Sequence, residues 1–518
     1  MGARLSRRSI QLDSGPIVLN DDGIYRGIPY AAAPVKDLRW RPPQPVIPWT
    51  RPRQCREFGP VCPQTNYQGT MSEDCLFLNI WTPYQGFGPK LPVMVWIHGG
   101  AFVSGSGSDE IYDGTALAAH GVVVVTFNYR LGTLGFLAHP LLSAESPENI
   151  SGNYGLLDQV AALRWVQRNI DQFGGDPAKV TIFGQSAGAE SVSLLLINQS
   201  AQGLFHAAIA ESPAMVGSLR PLRREELGVI PAETVGTRLA RELGLDRDRD
   251  VLGALRRITW KKIDAAAAKL QMELGTEMLK SVCTPTVDGQ IIPEHPVTLF
   301  RQGRRHQVPL ITGVTANEST MFLPDIISSR AGPAEYRQYL QAAFRRDAEK
   351  IENLLPVKAA AEVWERLDQV FSAKWFGAWA WFLAETSSNP EQTWFYRFTR
   401  QIPAWAAQVL AEDSQQGQIP PEKLGACHSA ELFYVFGFTK LLLGFFFKDW
   451  DLSGQIMAYW TNFAKNGNPN GGDLPEWTPY GSPEQRCYLE IGSDLKNRSH
   501  LEAELYQVIT KTWLESAY

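Results

Sequence analysis

Short runs of β-branched and apolar residues alternate with longer segments of helical character along most of the chain. The runs lie at residues 93–97, 122–127, 180–183, 207–210, 308–312 and 394–398. Apolar runs without polar alternation are typical of strands buried on both faces of a parallel sheet, and the segments between them supply the crossover helices. The pattern therefore predicts an α/β fold with a large, mostly parallel central sheet flanked by helices on both faces.

The number of domains can be judged from whether a repeat or a linker divides this pattern. A single hydrophobic core rarely grows beyond about 250–300 residues, so a chain of 518 residues has room for more than one domain. No internal repeat divides it, and the most linker-like segment, residues 401–424, is a polar, proline-bearing loop. We therefore predict one domain over residues 1–518, with long insertions.

Composition and charge narrow the class of partner. Hydrophobic residues make up 44% of the chain, which is enough for a large core. The 49 basic and 54 acidic residues give a net charge of −5 without a block of like charge, so a nucleic acid partner is not expected. No apolar run reaches the roughly 18 residues of a membrane span. A small neutral or mixed substrate is the expected partner, and the oligomeric state is left open.

The N-terminal residues and the cysteines bear on the compartment. Residues 1–14 contain three arginines but no apolar core of a signal peptide. The expected location is therefore secreted or periplasmic if a leader was removed, and cytoplasmic otherwise. Six cysteines are too few for a disulfide-built scaffold, and none lies in a CxxC pair. Neither a metal site nor a redox motif is predicted.

The candidate nucleophile lies where the run at 180–183 leads into GQSAG at 184–188 and then into an apolar, helix-like segment. In a nucleophile elbow the serine occupies a strained strand-to-helix turn, and glycine two residues to either side lets the two backbones pass closely. Gly184 and Gly188 meet that demand around Ser186. A GxSxG string alone is weak evidence, but the strand before it and the helix after it favour catalysis over a structural glycine turn.

A second glycine-rich turn follows the run at 93–97. It reads HGGAF at 98–102, at the position where α/β-hydrolases carry an oxyanion loop. Small residues there let backbone N–H groups face an incoming carbonyl, although an ordinary glycine turn explains the string equally well in isolation. Together with the elbow, the loop predicts a serine hydrolase of the α/β-hydrolase fold.

The candidate base is selected by chain order, which in α/β-hydrolases runs from nucleophile to acid to histidine. Of the eight histidines, only His428 and His500 come late enough. His500 falls in residues 494–505, for which we predict a polar surface helix. His428 is therefore the candidate base, and His98, beside the oxyanion glycines, is expected to shape that loop.

Several motifs in consistent order resemble those of the type-B carboxylesterase family, which includes carboxylesterases, cholinesterases and lipases. They cover nearly the whole chain and include GIPY at 27–30, SEDCLFLN at 72–79, NYRLG at 128–132, GNYGLLDQ at 152–159 and FGGDP at 173–177. The resemblance implies a single α/β-hydrolase domain in which carboxylic esters are hydrolysed in a gorge through an acyl-enzyme intermediate, without metal or cofactor.

The resemblance also selects the triad acid. The residues alone leave Asp288, Glu294 and Asp325 open beside Glu318, because all of them follow predicted strands. The segment GVTANEST at 313–320 is similar to the family segment that carries the acid, which makes Glu318 the candidate.

The remaining site residues are implied in the same way. The segment GACHSAEL at 425–432 resembles the one that carries the catalytic histidine, again His428. The oxyanion hole is assigned to the N–H groups of Gly100, Ala101 and Ala187. A disulfide between Cys62 and Cys75 is also implied by the resemblance.

Departures from the family pattern bear on the substrate. The residue before the nucleophile is commonly Glu but is Gln185 here, which removes a negative charge that would favour cationic substrates. Residues 63–74 lack the tryptophan that cholinesterases use for cation–π binding. Cholinesterase activity is therefore not expected. Ala101 stands where the third small residue of the oxyanion loop is often Gly, which narrows the space above the carbonyl.

Other functions stay open on the sequence alone. Some relatives are non-catalytic adhesion or binding proteins, and the same triad also serves peptidases and thioesterases. Within the esterases, an enzyme specialised for large multi-ester substrates such as fumonisin-type mycotoxins is an alternative. The aromatic segment at 375–382 is more typical of a core helix than of a substrate pocket.

Overall fold

A computed structural model describes residues 9–83, 88–214, 219–225, 228–274, 281–327, 331–402, 419, 421–438, 447–482 and 484–516. Most of the predicted loop at 401–424 lies outside these residues. Contacts divide the chain into two units, the first formed by residues 1–207 and 218–296 and the second by residues 208–217 and 297–518. The expectation of one domain over residues 1–518 stays a prediction.

The first unit holds a hairpin, a mixed sheet and a small two-stranded pair. Its strands are β1 (Ser9–Leu12), β2 (Gly15–Val18), β3 (Ile24–Pro29), β4 (Phe77–Trp81), β5 (Leu91–Ile97), β6 (Val123–Phe127), β7 (Gly175–Gln185), β9 (Arg220–Pro221) and β10 (Thr286–Val287). β3, β4, β6, β5 and β7 neighbour one another in that order. β5 runs parallel to β6 and β7, and its Val95 lies opposite Val125 and Ile182.

The helices of the first unit are connected to these strands. They are α1 (Thr115–Ala118), α2 (Gly132–Phe136), α3 (Pro140–Glu145), α4 (Tyr154–Asn169), α5 (Ala187–Ile197), α6 (Ala232–Glu242), α7 (Val251–Arg257) and α8 (Trp260–Leu274). α5 packs against β7 and β5. All of its residues are buried, including the polar Glu190, Ser191 and Ser193.

The second unit is built on mostly parallel strands, β8 (Ala207–Glu211), β11 (Leu310–Thr315), β12 (Thr393–Phe398), β13 (Cys487–Ile491) and β14 (Leu495–Ser499). β11 lies between β8 and β12 and is parallel to both, and β13 is parallel to β12. Its helices are α9 (Pro296–Arg301), α10 (Pro333–Phe344), α11 (Ala348–Leu354), α12 (Ala360–Ser372), α13 (Ala378–Glu385), α14 (Leu432–Val435), α15 (Phe447–Asn466) and α16 (Ala503–Ser516). Among the helices that the structure describes, none combines the length and apolar character needed to cross a bilayer.

Each of the six predicted strand runs overlaps a strand, namely β5, β6, β7, β8, β11 and β12, although the runs at 122–127 and 308–312 begin one and two residues before their strands. The helix predicted at 494–505 is wrong in its first half, because residues 495–499 form β14, antiparallel to β13, and α16 begins only at Ala503. Four of the five β14 residues are exposed, so the strand has no apolar alternation and is held by backbone hydrogen bonds to β13. His500 lies exposed in the turn that follows, as expected of a surface residue.

The two cysteines expected to form a disulfide are free thiols in the structure. Cys62 and Cys75 are buried and lie in hydrogen-bond contact. That contact, together with burial, raises the pKa of the Cys75 thiol well above its ordinary value. This surrounding therefore favours the protonated thiol of Cys75 over the thiolate. The structure therefore does not show the disulfide implied by the family resemblance, and that pairing stays a prediction.

Candidate active site

Ser186 occupies the single-residue turn between β7 and α5. Its backbone has φ 57° and ψ −126°, a combination that side-chain-bearing residues rarely adopt. Such strain costs about 1–3 kcal/mol and persists only where the surroundings impose it. Here β7 ends at Gln185 and α5 begins at Ala187, so the residue between them must reverse the chain at once. The turn therefore has the form of a nucleophile elbow.

The two flanking glycines allow that turn to be so tight. A Cβ atom at Gly184 would lie 2.7 Å from the carbonyl oxygens of both Gly188 and Ile97. One at Gly188 would come well inside 3.0 Å of the Ile97 oxygen. Backbone thus packs directly against backbone where α5 meets β5 and β7, and the reason inferred from the sequence for these glycines is confirmed.

The HGGAF loop lies directly against the elbow. A Cβ atom at Gly99 would be 2.8 Å from the oxygen of Gln185 and 3.1 Å from Cβ of Ser186. Gly100 and Ala101 then follow with φ of 100° and 53°. Successive N–H groups in tight turns of this kind line hollows that bind anions. Gly99 therefore lies beside the Ser186 side chain, and the role of the Gly100 and Ala101 N–H groups as oxyanion donors stays a prediction.

His98 supports this loop from behind. Its buried ring donates from Nδ1 to the Gly99 oxygen at 2.9 Å and stacks on Tyr129 with a centroid distance of 4.4 Å. The Tyr129 hydroxyl in turn donates to the His98 oxygen at 2.9 Å. Burial lowers the pKa of His98 to about 4. The ring is thus neutral at physiological pH and shapes the loop, as the sequence indicated.

Glu318 and His428 are in direct contact within the second unit. His428 Nδ1 lies 2.5 Å from Oε2 of Glu318, whose side chain is buried just beyond β11. The other carboxylate oxygen, Oε1, accepts from the Thr315 N–H at 2.7 Å and from the Ser212 hydroxyl at 2.5 Å. With both oxygens engaged, the carboxylate holds the proton of His428 on Nδ1. This tautomer leaves Nε2 as the proton acceptor.

Of the other candidate acids, Asp288 has a different local role. Its Oδ1 accepts from three successive backbone N–H groups, those of Gln290, Ile291 and Ile292, at 2.9, 2.8 and 3.1 Å. A carboxylate used in this way holds a turn.

One helical stripe supports both the acid and the histidine. α12 continues through a π-helical stretch, Ala373–Gly377, into α13, and single π turns of this kind are frequent at functional sites. Asp368, Ser372 and Phe376 follow one another at four-residue spacing and so share a face. Asp368 and Ser372 accept from the N–H of Ser319 at 3.2 and 3.1 Å. The Phe376 ring lies 4.4 Å from that of His428, so one residue of the aromatic segment at 375–382 reaches the site.

Two further buried carboxyl groups lie near the acid. Oε1 of Glu431 is 3.5 Å from the Ser212 hydroxyl. Burial, and after it the negative charge of Glu318, raises the pKa of Glu431 well above the ordinary value. Glu211 accepts from Nε1 of Trp460 at 2.7 Å, and burial raises its pKa to about 8. Burial thus favours the neutral form of both groups, and with a pKa of about 8 Glu211 keeps its proton at pH 7.

We expect the Glu211→Gln variant to gain stability relative to the wild type as the pH rises from 5 to 9. The Glu211 carboxyl keeps its proton to about pH 8 when folded but only to about its ordinary value of 4.5 when unfolded. The contribution of Glu211 to the stability of the wild type therefore falls between about pH 4.5 and 8, by roughly 1.4 kcal/mol per pH unit. A neutral amide has no such dependence, and its oxygen still accepts from Trp460. Thermal unfolding midpoints at pH 5 and 9 measure the difference, and parallel pH trends for both proteins would contradict it.

The structure brings the predicted site residues together in two groups. Ser186 lies with the oxyanion segments in the first unit, and Glu318 lies with His428 in the second. Sequence reasoning did not find Ser212, Asp368 or Phe376 as parts of the site. Only the four-residue spacing from Asp368 to Phe376 offered a signal, and it did not reveal what the stripe faces.

Comparisons with known proteins agree on one group of enzymes. The model of the carboxylesterase family matches residues 21–509. The chain is 37% identical to a fumonisin B1 esterase of Sphingopyxis macrogoltabida over 89% of this chain and 82% of that protein. It is 35% identical to a cocaine esterase of Homo sapiens over 90% and 83%. The structure of a thermophilic PNB esterase matches with a TM-score of 0.80 and 31% identity, over 97% of this chain and 100% of that one. The predicted α/β-hydrolase fold is thereby confirmed.

Proposed function

The chain belongs to the carboxylesterase family and hydrolyses carboxylic esters, and from this premise we propose that Ser186, His428 and Glu318 carry out the hydrolysis as a catalytic triad. The observation that carries the proposal is the 2.5 Å contact between Glu318 Oε2 and His428 Nδ1. Ser186 at the strained turn is the proposed nucleophile, and His428, oriented by Glu318, is the proposed base that removes its proton.

The reaction proceeds in two halves that share the same proton relay. Ser186 Oγ attacks the carbonyl carbon while His428 Nε2 takes its proton, and Glu318 stabilises the imidazolium. Collapse of the tetrahedral intermediate breaks the bond to the alkoxy oxygen, which leaves as the alcohol with the proton from His428. Water then loses a proton to His428 and attacks the acyl-Ser186 carbonyl. Collapse of the second tetrahedral intermediate breaks the bond to Ser186 Oγ, which takes the proton back from His428 as the carboxylic acid leaves.

The oxyanion of each tetrahedral intermediate is held by the N–H groups of Gly100, Ala101 and Ala187. Support comes from the positive φ values at Gly100 and Ala101. It also comes from the start of α5 at Ala187, where an N–H lacks a helical partner and the helix dipole favours negative charge. Such donors stabilise the charge where it develops.

The proposed substrates are carboxylic esters other than choline esters. Gln185, which directly precedes the nucleophile, is buried and neutral, so no carboxylate at this position attracts a cation. Residues 63–74 contain no tryptophan to receive a quaternary ammonium group. Choline esters are therefore poor candidates.

A large molecule with several ester groups is the second candidate substrate. It is favoured by the 37% identity to the fumonisin B1 esterase, against 35% to the cocaine esterase. Incubation with fumonisin B1, followed by mass spectrometry of the released acid, tests this candidate beside p-nitrophenyl butyrate.

Covalent trapping tests the triad. Incubation with a p-nitrophenyl alkylphosphonate is expected to add one phosphonyl group per chain, to place it on Ser186 and to abolish turnover of p-nitrophenyl butyrate. The Ser186→Ala variant is expected to remain unlabelled and inactive. Label on another residue, or an unchanged rate in Ser186→Ala, would falsify the proposal. Matched amide and thioester substrates show whether turnover is confined to esters.

A further inference from the structure

Asn317, the residue before the triad acid, joins the loop that carries Glu318 to the loop that carries His428. Its N–H donates to the Ala426 oxygen and its Oδ1 accepts from the Ala426 N–H, both at 3.0 Å. The two loops therefore run side by side, and Asn317 and Cys427 form an isolated parallel bridge. Gly425 makes room for this contact, because a Cβ atom there would collide with Asn317 Oδ1.

Asp368 on α12 binds both neighbours of Glu318 at once. Its Oδ2 accepts from Asn317 Nδ2 at 2.9 Å. Its Oδ1 accepts from the Ser319 N–H and hydroxyl at 3.2 and 2.8 Å and from the Ser372 hydroxyl at 3.0 Å. The carboxyl is only 2% exposed, and each of these partners is neutral. A buried carboxylate with several donors is held in one orientation and holds its donors in turn.

We propose that Asn317 and Asp368 are positioning residues of the ester hydrolysis, which together set the separation of the Glu318 carboxylate and the His428 ring. The proposal rests on the proposed triad. Neither side chain touches the reacting atoms. Both act on loops, whose placement to within an ångström decides whether acid and base meet.

The directions of these hydrogen bonds are fixed by their partners. Asn317 Oδ1 is occupied by the Ala426 N–H, so the amide NH₂ must face Asp368. The Oδ1 atom of Asp368 is occupied by donors of Ser319, so an amide at position 368 must turn its own NH₂ toward Asn317. Asp368→Asn therefore sets two donors against each other, and Asn317→Asp sets two carboxylates against each other. The double variant Asn317→Asp/Asp368→Asn restores one donor and one acceptor.

The exchange of the two side chains is the test, with p-nitrophenyl butyrate as substrate. Each single variant is expected to lower kcat about 10- to 100-fold while KM changes less than about 3-fold, because the substrate still binds but the acid–base pair is displaced. The double variant is expected to recover kcat to within about 5-fold of the wild type. The exposed Asn389, which donates to Gln392, provides the control, and Asn389→Asp is expected to leave kcat unchanged.

Proton NMR provides a readout that a purely structural role would not move. The short hydrogen bond between His428 and Glu318 is expected to give a far-downfield N–H resonance in the wild type, absent in Glu318→Gln. It should be lost in each single variant and return in the double variant. Thermal midpoints of the four proteins separate this effect from unfolding.

Three outcomes would overturn the proposal. One is wild-type kcat in both single variants, and another is a downfield resonance that survives in them. The third is a double variant that folds as stably as the wild type and stays as slow as the single variants. Failure of the triad itself is recognised separately, because the wild-type protein would then not be phosphonylated at Ser186.

Discussion

The Glu318→Gln variant is expected to lose about 10³- to 10⁴-fold in kcat for p-nitrophenyl butyrate, with KM little changed. Oε1 of Glu318 accepts from the Thr315 N–H and the Ser212 hydroxyl, so the oxygen of the new amide stays there. Its NH₂ group must then face His428 Nδ1. Nδ1 must then accept a hydrogen bond from this NH₂ group, so the ring proton of His428 moves to Nε2. A protonated Nε2 can no longer take the proton of Ser186.

Steady-state rates near pH 7.5 measure this loss, and circular dichroism checks that the variant is folded. Glu294 is the matched control, since it is another carboxylate that follows a predicted strand, and Glu294→Gln is expected to keep the wild-type rate. A loss of less than about tenfold in Glu318→Gln would mean that another group orients His428.

The parts of the fold that could be predicted from the sequence are those in which burial alone determines the pattern. β5 and β6 are almost entirely buried, and each reads as a continuous apolar run. β14 could not be predicted, because its exposed residues, LKNRS, carry no alternation, and its partner β13 supplies the order. A strand held by its neighbour leaves little trace in its own residues.

The site residues likewise fall into those that a local sequence pattern predicts and those that it does not. Ser186 could be located because a strained turn between a buried strand and a helix demands glycine at fixed positions. Ser212 and Asp368 could not, because they meet the acid loop across 106 positions (Ser212 to Glu318) and 51 positions (Asp368 to Asn317) of the chain. No local pattern records such a distant partner. The fold must be known before these residues can be connected to Glu318.

The Gly100→Ala variant is expected to lower kcat about 10²- to 10³-fold, the usual result of losing one oxyanion donor at roughly 2.7–4 kcal/mol. Gly100 has φ 100°, and a Cβ atom there would collide with the Ser104 backbone. Since backbone cannot yield as a flexible side chain does, the loop must shift. The shift carries the N–H groups of Gly100 and Ala101 away from the position of the oxyanion.

Ala101→Gly separates this effect from general damage to the loop. Its φ of 53° suits glycine, and the change keeps the N–H while removing a methyl group. The Ala101→Gly variant is therefore expected to keep kcat within a few-fold of the wild-type value and to hydrolyse esters of bulky alcohols faster than the wild type. A trifluoromethyl ketone, whose adduct with Ser186 carries the same oxyanion, should bind Gly100→Ala more weakly in proportion to the loss in kcat. An oxyanion donor stabilises both the ketone adduct and the transition state, so its loss should lower inhibitor affinity and kcat together. If kcat fell in Gly100→Ala while the affinity for the trifluoromethyl ketone stayed unchanged, the loop would act on substrate placement instead.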